Sequence, residues 1–300
     1  MLEIFLTFST AYILRRLRVF SPEDAKVLVN YVLYFALPLM SFKIAHSLGL
    51  SREVLYVGAS AWLVILFSLL CAYLTGRVMR LDSVNLRSLM MASAFGNTAF
   101  LGYPYSFAYF GEEGLRYAIV YDNAGSFLAV SSVGLFLVSG RIDIRSLLLF
   151  PPFLGLMAGF ALRGYSLPIF LQKFIDFSSA SLLPVVLFSL GIALDLSYVR
   201  KEKKLLLVAL LLKMFLSPLF ALIFLSLFPM ERLSYKVCVL QSAMPTMIMA
   251  SILTLRYGLN YSLTFASAGV GILLSFLTVP FWVRVIMVVE LAEHLVRDKI

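Results

Sequence analysis

Ten apolar runs, most of them near twenty residues and joined by short charged or Gly/Pro-containing connections, leave this chain little choice but to fold in a lipid bilayer. A helix crosses the hydrocarbon with about 20 apolar residues. The runs predict helices at roughly 1–15, 24–46, 53–77, 86–109 and 114–138, then 145–163, 169–195, 204–228, 232–256 and 261–288, the first and sixth being short. Of the 300 residues, 61% are hydrophobic and 14% are charged, against a charged share of about one quarter in soluble domains. The expectation is an all-α integral membrane protein with no separate soluble domain.

The net charge of +9 does not require a nucleic-acid partner, because the Lys and Arg residues cluster in short connections between apolar runs. The positive-inside rule accounts for them. The alternation that places RRLR (15–18) and RKEKK (200–204) inside also gives the inner connections the larger share of basic residues. It puts both termini outside a cytoplasmic membrane. The N-terminal stretch MLEIFLTFSTAYILRR lacks a basic start and an AxA-like cleavage site, so it reads as a first span rather than a signal peptide. Cys71 and Cys238 lie in apolar runs without CxxC or metal-ligand spacing and read as free buried thiols; no metal or cofactor is expected.

The fourth run cannot be one regular helix. Its stretch Ala94–Tyr109, AFGNTAFLGYPYSFAY, is apolar but carries Gly96, Gly102 and Pro104. Irregular backbone at membrane depth survives only where protein or a polar cavity satisfies it. The ninth run has a matching break at Met244-Pro245-Thr246. The two halves correspond elsewhere too: Leu37-Pro38, Phe42, Leu48, Leu50 and Ser51 recur at constant offset as Leu183-Pro184, Phe188, Leu194, Leu196 and Ser197. Five runs per half is an odd number, so the second copy enters the membrane from the opposite side. The expected plan is two inverted five-helix repeats, 1–140 and 141–300, with broken helices four and nine meeting near the midplane, as in secondary transporters. Taken singly, Pro38, Pro184, Pro218 and Pro280 read equally well as ordinary kinks.

Few polar groups lie where they are expensive. Asn97 and Thr98 sit at the first break, and a half-helix starting there points N–H groups and a positive dipole end into the gap, which favours an anion. Asn97 could instead, or also, serve as a cap for its own helix. Gln241 lies one turn before Pro245. Asp122 and Asn123 fall in mid-run, where an acidic side chain costs about 2.5–3.5 kcal/mol and should face the protein interior. Proton carriage or a fixed structural bond would each explain Asp122. Lys213 is its possible partner, or could extend to the inner face. Gly155 and Gly159 form a GxxxG that permits close helix approach. No HExxH, GxSxG, Walker or dinucleotide motif is present, so an enzyme is not expected.

The stretches SPEDAKVLVNYVLYFALPLMSF, GNTAFLGYP, YGLNYSL and LLSFLTVPFW carry a likeness that covers nearly the whole chain. In them the chain resembles the auxin efflux carrier family, whose bacterial members are described as permeases or transporters of organic acids. It implies ten helices with four and nine crossing at their breaks and an organic anion bound at the crossover. It also implies a scaffold of helices 1, 2, 6 and 7 that mediates homodimerisation, with helices 3–5 and 8–10 moving as a transport domain. Carried onto this sequence, the anion site comprises Asn97 and the backbone around Thr98 and Pro245, with Gln241 and the Asp122-Asn123 pair; Gly96, Pro104 and Thr246, at or near the two breaks, are further candidate binding residues, and Asp122 and Lys213 are the candidates for ion coupling. Plant members have a long hydrophilic loop between the halves where this chain has only 140–145, so plant-type regulation and auxin as substrate are not implied. The expected function is secondary transport of small carboxylates, as export driven by the potential or by protons. The alternatives are a bile-acid-type sodium symporter and a non-transporting membrane receptor or scaffold.

Overall fold

The computed structural model describes residues 2–48, 51–141, 148–194, 196–200 and 203–297. Leu50, Arg145, Lys201 and most of the connection 140–145, all used above, lie outside the described residues. Among those described, the chain is helical, without a strand beyond one isolated bridge. The helices are α1 (Leu2–Arg16), α2 (Asp24–Ser47), α3 (Arg52–Val78), α4 (Ser83–Ala94), α5 (Gly102–Ser139) and α6 (Pro151–Ala161). They continue with α7 (Ile169–Ala193), α8 (Lys203–Leu227), α9 (Arg232–Ser242), α10 (Ile248–Arg256) and α11 (Tyr261–Arg297). Six of them, α2, α3, α5, α7, α8 and α11, are long and apolar enough to cross a bilayer.

Helix boundaries follow local chemistry. Ser51 caps α3 through the Val54 N–H. The Asp82 carboxylate accepts the Val84 and Asn85 N–H groups at the start of α4, and these bonds, that from Asn85 foremost, hold its carboxyl below the usual range. Pro151 and Pro152 open α6, where a missing N–H costs nothing. α5 is split at Gly111, whose φ of 67° and ψ of −159° leave the helical region, into a short arm 102–110 and a long arm 112–139. That split falls between the fourth and fifth apolar runs of the sequence.

Glycines set the closest crossings. A Cβ on Gly155 would stand 2.3 Å from the Pro38 carbonyl oxygen, and one on Gly159 2.4 Å from that of Phe42, so α6 lies directly on the α2 backbone. The GxxxG of the sequence is thus an internal packing motif. Gly191 of α7 approaches the Phe8 carbonyl oxygen of α1 in the same way, at 2.4 Å. On the other side of the molecule, α5 packs on α3 through Gly125 and Ala61. α1, α2, α6 and α7 form one group of contacting helices; α4, α9 and α10 are enclosed among α3, α5, α8 and α11.

Candidate functional site

The two interruptions occupy one place in the fold. α4 ends at Ala94, and Phe95 leaves it extended, with φ −96° and ψ 111°. α9 ends at Ser242, and α10 begins only at Ile248. Between these ends, Gly96 and Thr246 form an antiparallel bridge. The Asn97 N–H donates to the Pro245 carbonyl at 2.7 Å, and the Met247 N–H donates to the Phe95 carbonyl at 2.8 Å. Residues 95–98 and 243–247 are all buried. Each interruption thus supplies the backbone partners that the other needs in a medium without water. Either break alone would strand N–H and C=O groups.

This pairing changes the expected donors. The amides of Asn97 and Met247 face each other's strand, the Thr98 N–H donates to the Gly96 carbonyl at 2.9 Å, and the Phe100 N–H donates to Asn97 Oδ1 at 3.2 Å. Asn97 therefore closes the turn that leads into α5, as a cap would. Its Nδ2 is buried and has no hydrogen-bond partner. A buried amide donor left unpaired costs about 1–3 kcal/mol, so the same side chain both caps and holds out a donor.

Asp122 lies beside the first interruption. Its Oδ1 accepts the Thr98 hydroxyl, and its Oδ2 accepts the Tyr103 hydroxyl at 2.7 Å. Lys213 serves the second interruption: its Nζ donates to the Ser242 carbonyl at 2.7 Å, at the C-terminal end of α9, where a positive charge complements the helix dipole. It also packs against the first, because a Cβ on Gly96 would lie 3.0 Å from Lys213 Cε. Both side chains are buried. They form no ion pair with each other, so the partnership considered from sequence is replaced by two separate attachments to the paired interruptions.

The other sequence candidates divide. Gln241 is fully buried, donates to Ser106 Oγ at 3.2 Å and leaves its Oε1 without a partner. Its carboxamide occupies the space a Cβ on Gly102 would need, 2.0 Å away. Thr246 Oγ1 donates to the Ala92 carbonyl at 2.7 Å and shares a hydrogen bond with Ser267, which ties the second interruption to the end of α4. Asn123 points elsewhere: it donates to Ser41 Oγ of α2 at 2.9 Å, and its Oδ1 has no partner. Pro104 sits in the first turn of α5 and lines a cavity of about 750 Å³ bounded by α1, α2, α5 and α7.

Sequence reasoning missed Tyr103, whose only signal was its place in GYP, and both tryptophans. Asp122 and Lys213 each sit in a π turn, Tyr121–Ser126 and Leu212–Leu216. A π turn weakens the regular ladder. In each case an indole N–H takes up a carbonyl of that turn: Trp62 donates to Ala124 at 3.1 Å, and Trp282 donates to Met214 at 2.8 Å. The Met214 carbonyl is the one Pro218 cannot bond, having no N–H. Trp62→Phe and Trp282→Phe should each lower stability by about 1–3 kcal/mol, read as a reduced melting temperature in detergent. Unchanged melting in both would show that these carbonyls have other partners.

The chain also matches known sequences. The family model for membrane transport protein matches residues 1–142 and 129–283. The chain is 29% identical over 290 residues to an uncharacterized transporter of Methanothermobacter thermautotrophicus, covering 94% of this chain and 95% of that protein. It is likewise 29% identical over 274 residues to an uncharacterized transporter of Methanocaldococcus jannaschii, covering 87% and 89%. An integral membrane protein with paired interruptions around buried polar groups thus meets a family match over most of its length, and the chain belongs to the membrane transport proteins of the auxin efflux carrier family.

Proposed function

We propose that this transporter is a secondary carrier of small organic anions, carboxylates foremost, working by alternating access with the anion held at the crossing of the two interruptions. The observation that carries this reading is the unpartnered Asn97 Nδ2, buried at the point where the two backbones pair. An anion bound there would receive that donor, with the buried Lys213 charge close by at Gly96.

In this reading α4 with the short arm of α5 is the fourth span, the long arm of α5 the fifth, and α9 with α10 the ninth, which gives ten spans in two inverted repeats. The close pairs α6 on α2 and α7 on α1 support that arrangement, since inversion exchanges one pair for the other. Those four helices would be the fixed scaffold of a homodimer in the cytoplasmic membrane, and the helices around the crossing would move. Asp122, attached by Thr98 and Tyr103 to the interruption itself, would carry the coupling proton. Saturable carboxylate flux into proteoliposomes, present without sodium, tests the reading. Flux that requires sodium would favour a symporter, and no flux of any anion would favour a receptor or scaffold.

A further inference from the structure

Among the described residues, the charged side chains that are buried are Asp122 and Lys213, and they have opposite sign. The other buried groups that can titrate are Tyr103, Tyr105, Tyr117, Tyr121 and Cys238, and at neutral pH a phenol or a thiol holds its proton. The two charges border one short strand. Thr98 donates its hydroxyl to Asp122, and Gly96, two residues earlier, packs on the Lys213 stem, where a Cβ would stand 3.0 Å from Cε and 3.2 Å from Nζ. Asn97, with its free Nδ2, lies between them in the chain.

Neither charge is tied to a counter-charge. The groups that face Asp122 are the Thr98 and Tyr103 hydroxyls, and the group that faces Lys213 Nζ is the Ser242 carbonyl. The charges therefore cancel over the paired interruptions as a whole, without an ion pair that a ligand would have to break. A net charge in a low-dielectric interior is costly, and it stays costly while that interior is carried through a bilayer. With Asp122 ionised and Lys213 protonated, the empty site is neutral. A bound monovalent anion leaves one negative charge in excess, and one proton on Asp122 removes it.

We propose that the loaded carrier is the neutral set of protonated Asp122, charged Lys213 and one carboxylate, so that transport is an electroneutral symport of one proton with one monovalent anion. The proton enters from the side the anion enters and leaves with it. The proposal rests on the organic-anion reading above and deepens it: Lys213 is the fixed counter-charge of the anion, and the membrane potential acts on neither the loaded nor the empty step. The competing account makes both side chains structural, Asp122 an anchor for Thr98 and Tyr103 and Lys213 a cap on α9. The anion then crosses alone, as a charge, and its flux follows the potential.

The test is uptake of radiolabelled lactate, pyruvate and gluconate into proteoliposomes of the full chain, with passive entry into protein-free liposomes subtracted. A pH gradient and a potassium diffusion potential are imposed separately. In wild type, about one pH unit at zero potential should support up to about tenfold accumulation, and about 100 mV of either sign at clamped pH should support none. Asp122→Asn, neutral when loaded and charged when empty, should reverse this, with no response to the pH gradient and up to about fiftyfold accumulation at about 100 mV, inside positive. Lys213→Met keeps an apolar stem and removes the charge, so uptake by the folded variant should weaken at least about tenfold, and what remains should follow the potential. Wild-type uptake and responses in folded Lys213→Met, or a retained pH response in Asp122→Asn, would overturn the proposal. So would wild-type accumulation driven by potential at clamped pH, which leaves the organic-anion reading in place and decides the matter even if Lys213→Met does not fold. No saturable uptake of any of the three acids would remove both.

Discussion

Gly155→Leu is expected to abolish a monodisperse, folded preparation. The Cβ alone would stand 2.3 Å from the Pro38 carbonyl oxygen and 2.9 Å from its carbon, and neither backbone atom can rotate away. Overpacking in a well-filled site costs about 1–3 kcal/mol and more where backbone must move. Here the bulk would push α6 off α2 along the face that also carries Gly159. Gly155→Ala should show a smaller loss. Met157→Leu, on an exposed face of the same helix, should behave as wild type. Size-exclusion chromatography with thermal melting in detergent decides the matter, and an unshifted melt for Gly155→Leu would mean that this crossing is looser than described.

Asp122→Asn is expected to leave the fold intact and remove the response of transport to a proton gradient. The carboxylate accepts one hydroxyl on each oxygen. An asparagine can keep both contacts if one hydroxyl turns to accept from its amide, so the change in stability should stay within about 1 kcal/mol. What is lost is titration: the variant is fixed in the neutral state that a bound proton would produce. In wild-type proteoliposomes an imposed gradient of about one pH unit can support up to about tenfold accumulation of a proton-coupled anion. The variant should show none. A retained gradient response would make Asp122 a structural anchor for Thr98 and Tyr103.

Which parts of this arrangement could be read from sequence follows from how local their causes are. Gly96, Gly102, Pro104 and Pro245 act on their own backbone, so both interruptions were visible, as was the split near Gly111. The partners were not. Asn97 N–H meets Pro245 and Lys213 meets Ser242 through carbonyl oxygens, and a carbonyl has no residue signature. π turns depend on what packs around a helix, and so the roles of Trp62 and Trp282 could not be foreseen. Tyr103 read as one more aromatic in an apolar run because its value lies in a single oxygen aimed at a carboxylate on the next span.

The central claim is that the crossing binds an organic anion through the free end of Asn97. Its most direct test is carboxylate binding and flux for Asn97→Ala against wild type, on preparations with matched melting profiles. Loss of the side chain removes the unpartnered donor and also the cap on Phe100. Asn97→Asp, which keeps the accepting oxygen and replaces the donor by a second acceptor, separates the two roles. The account predicts saturable uptake by wild type and at least about tenfold weaker binding in both variants, the loss of one hydrogen bond to a charged group. Unchanged affinity in folded Asn97→Ala and Asn97→Asp would contradict it.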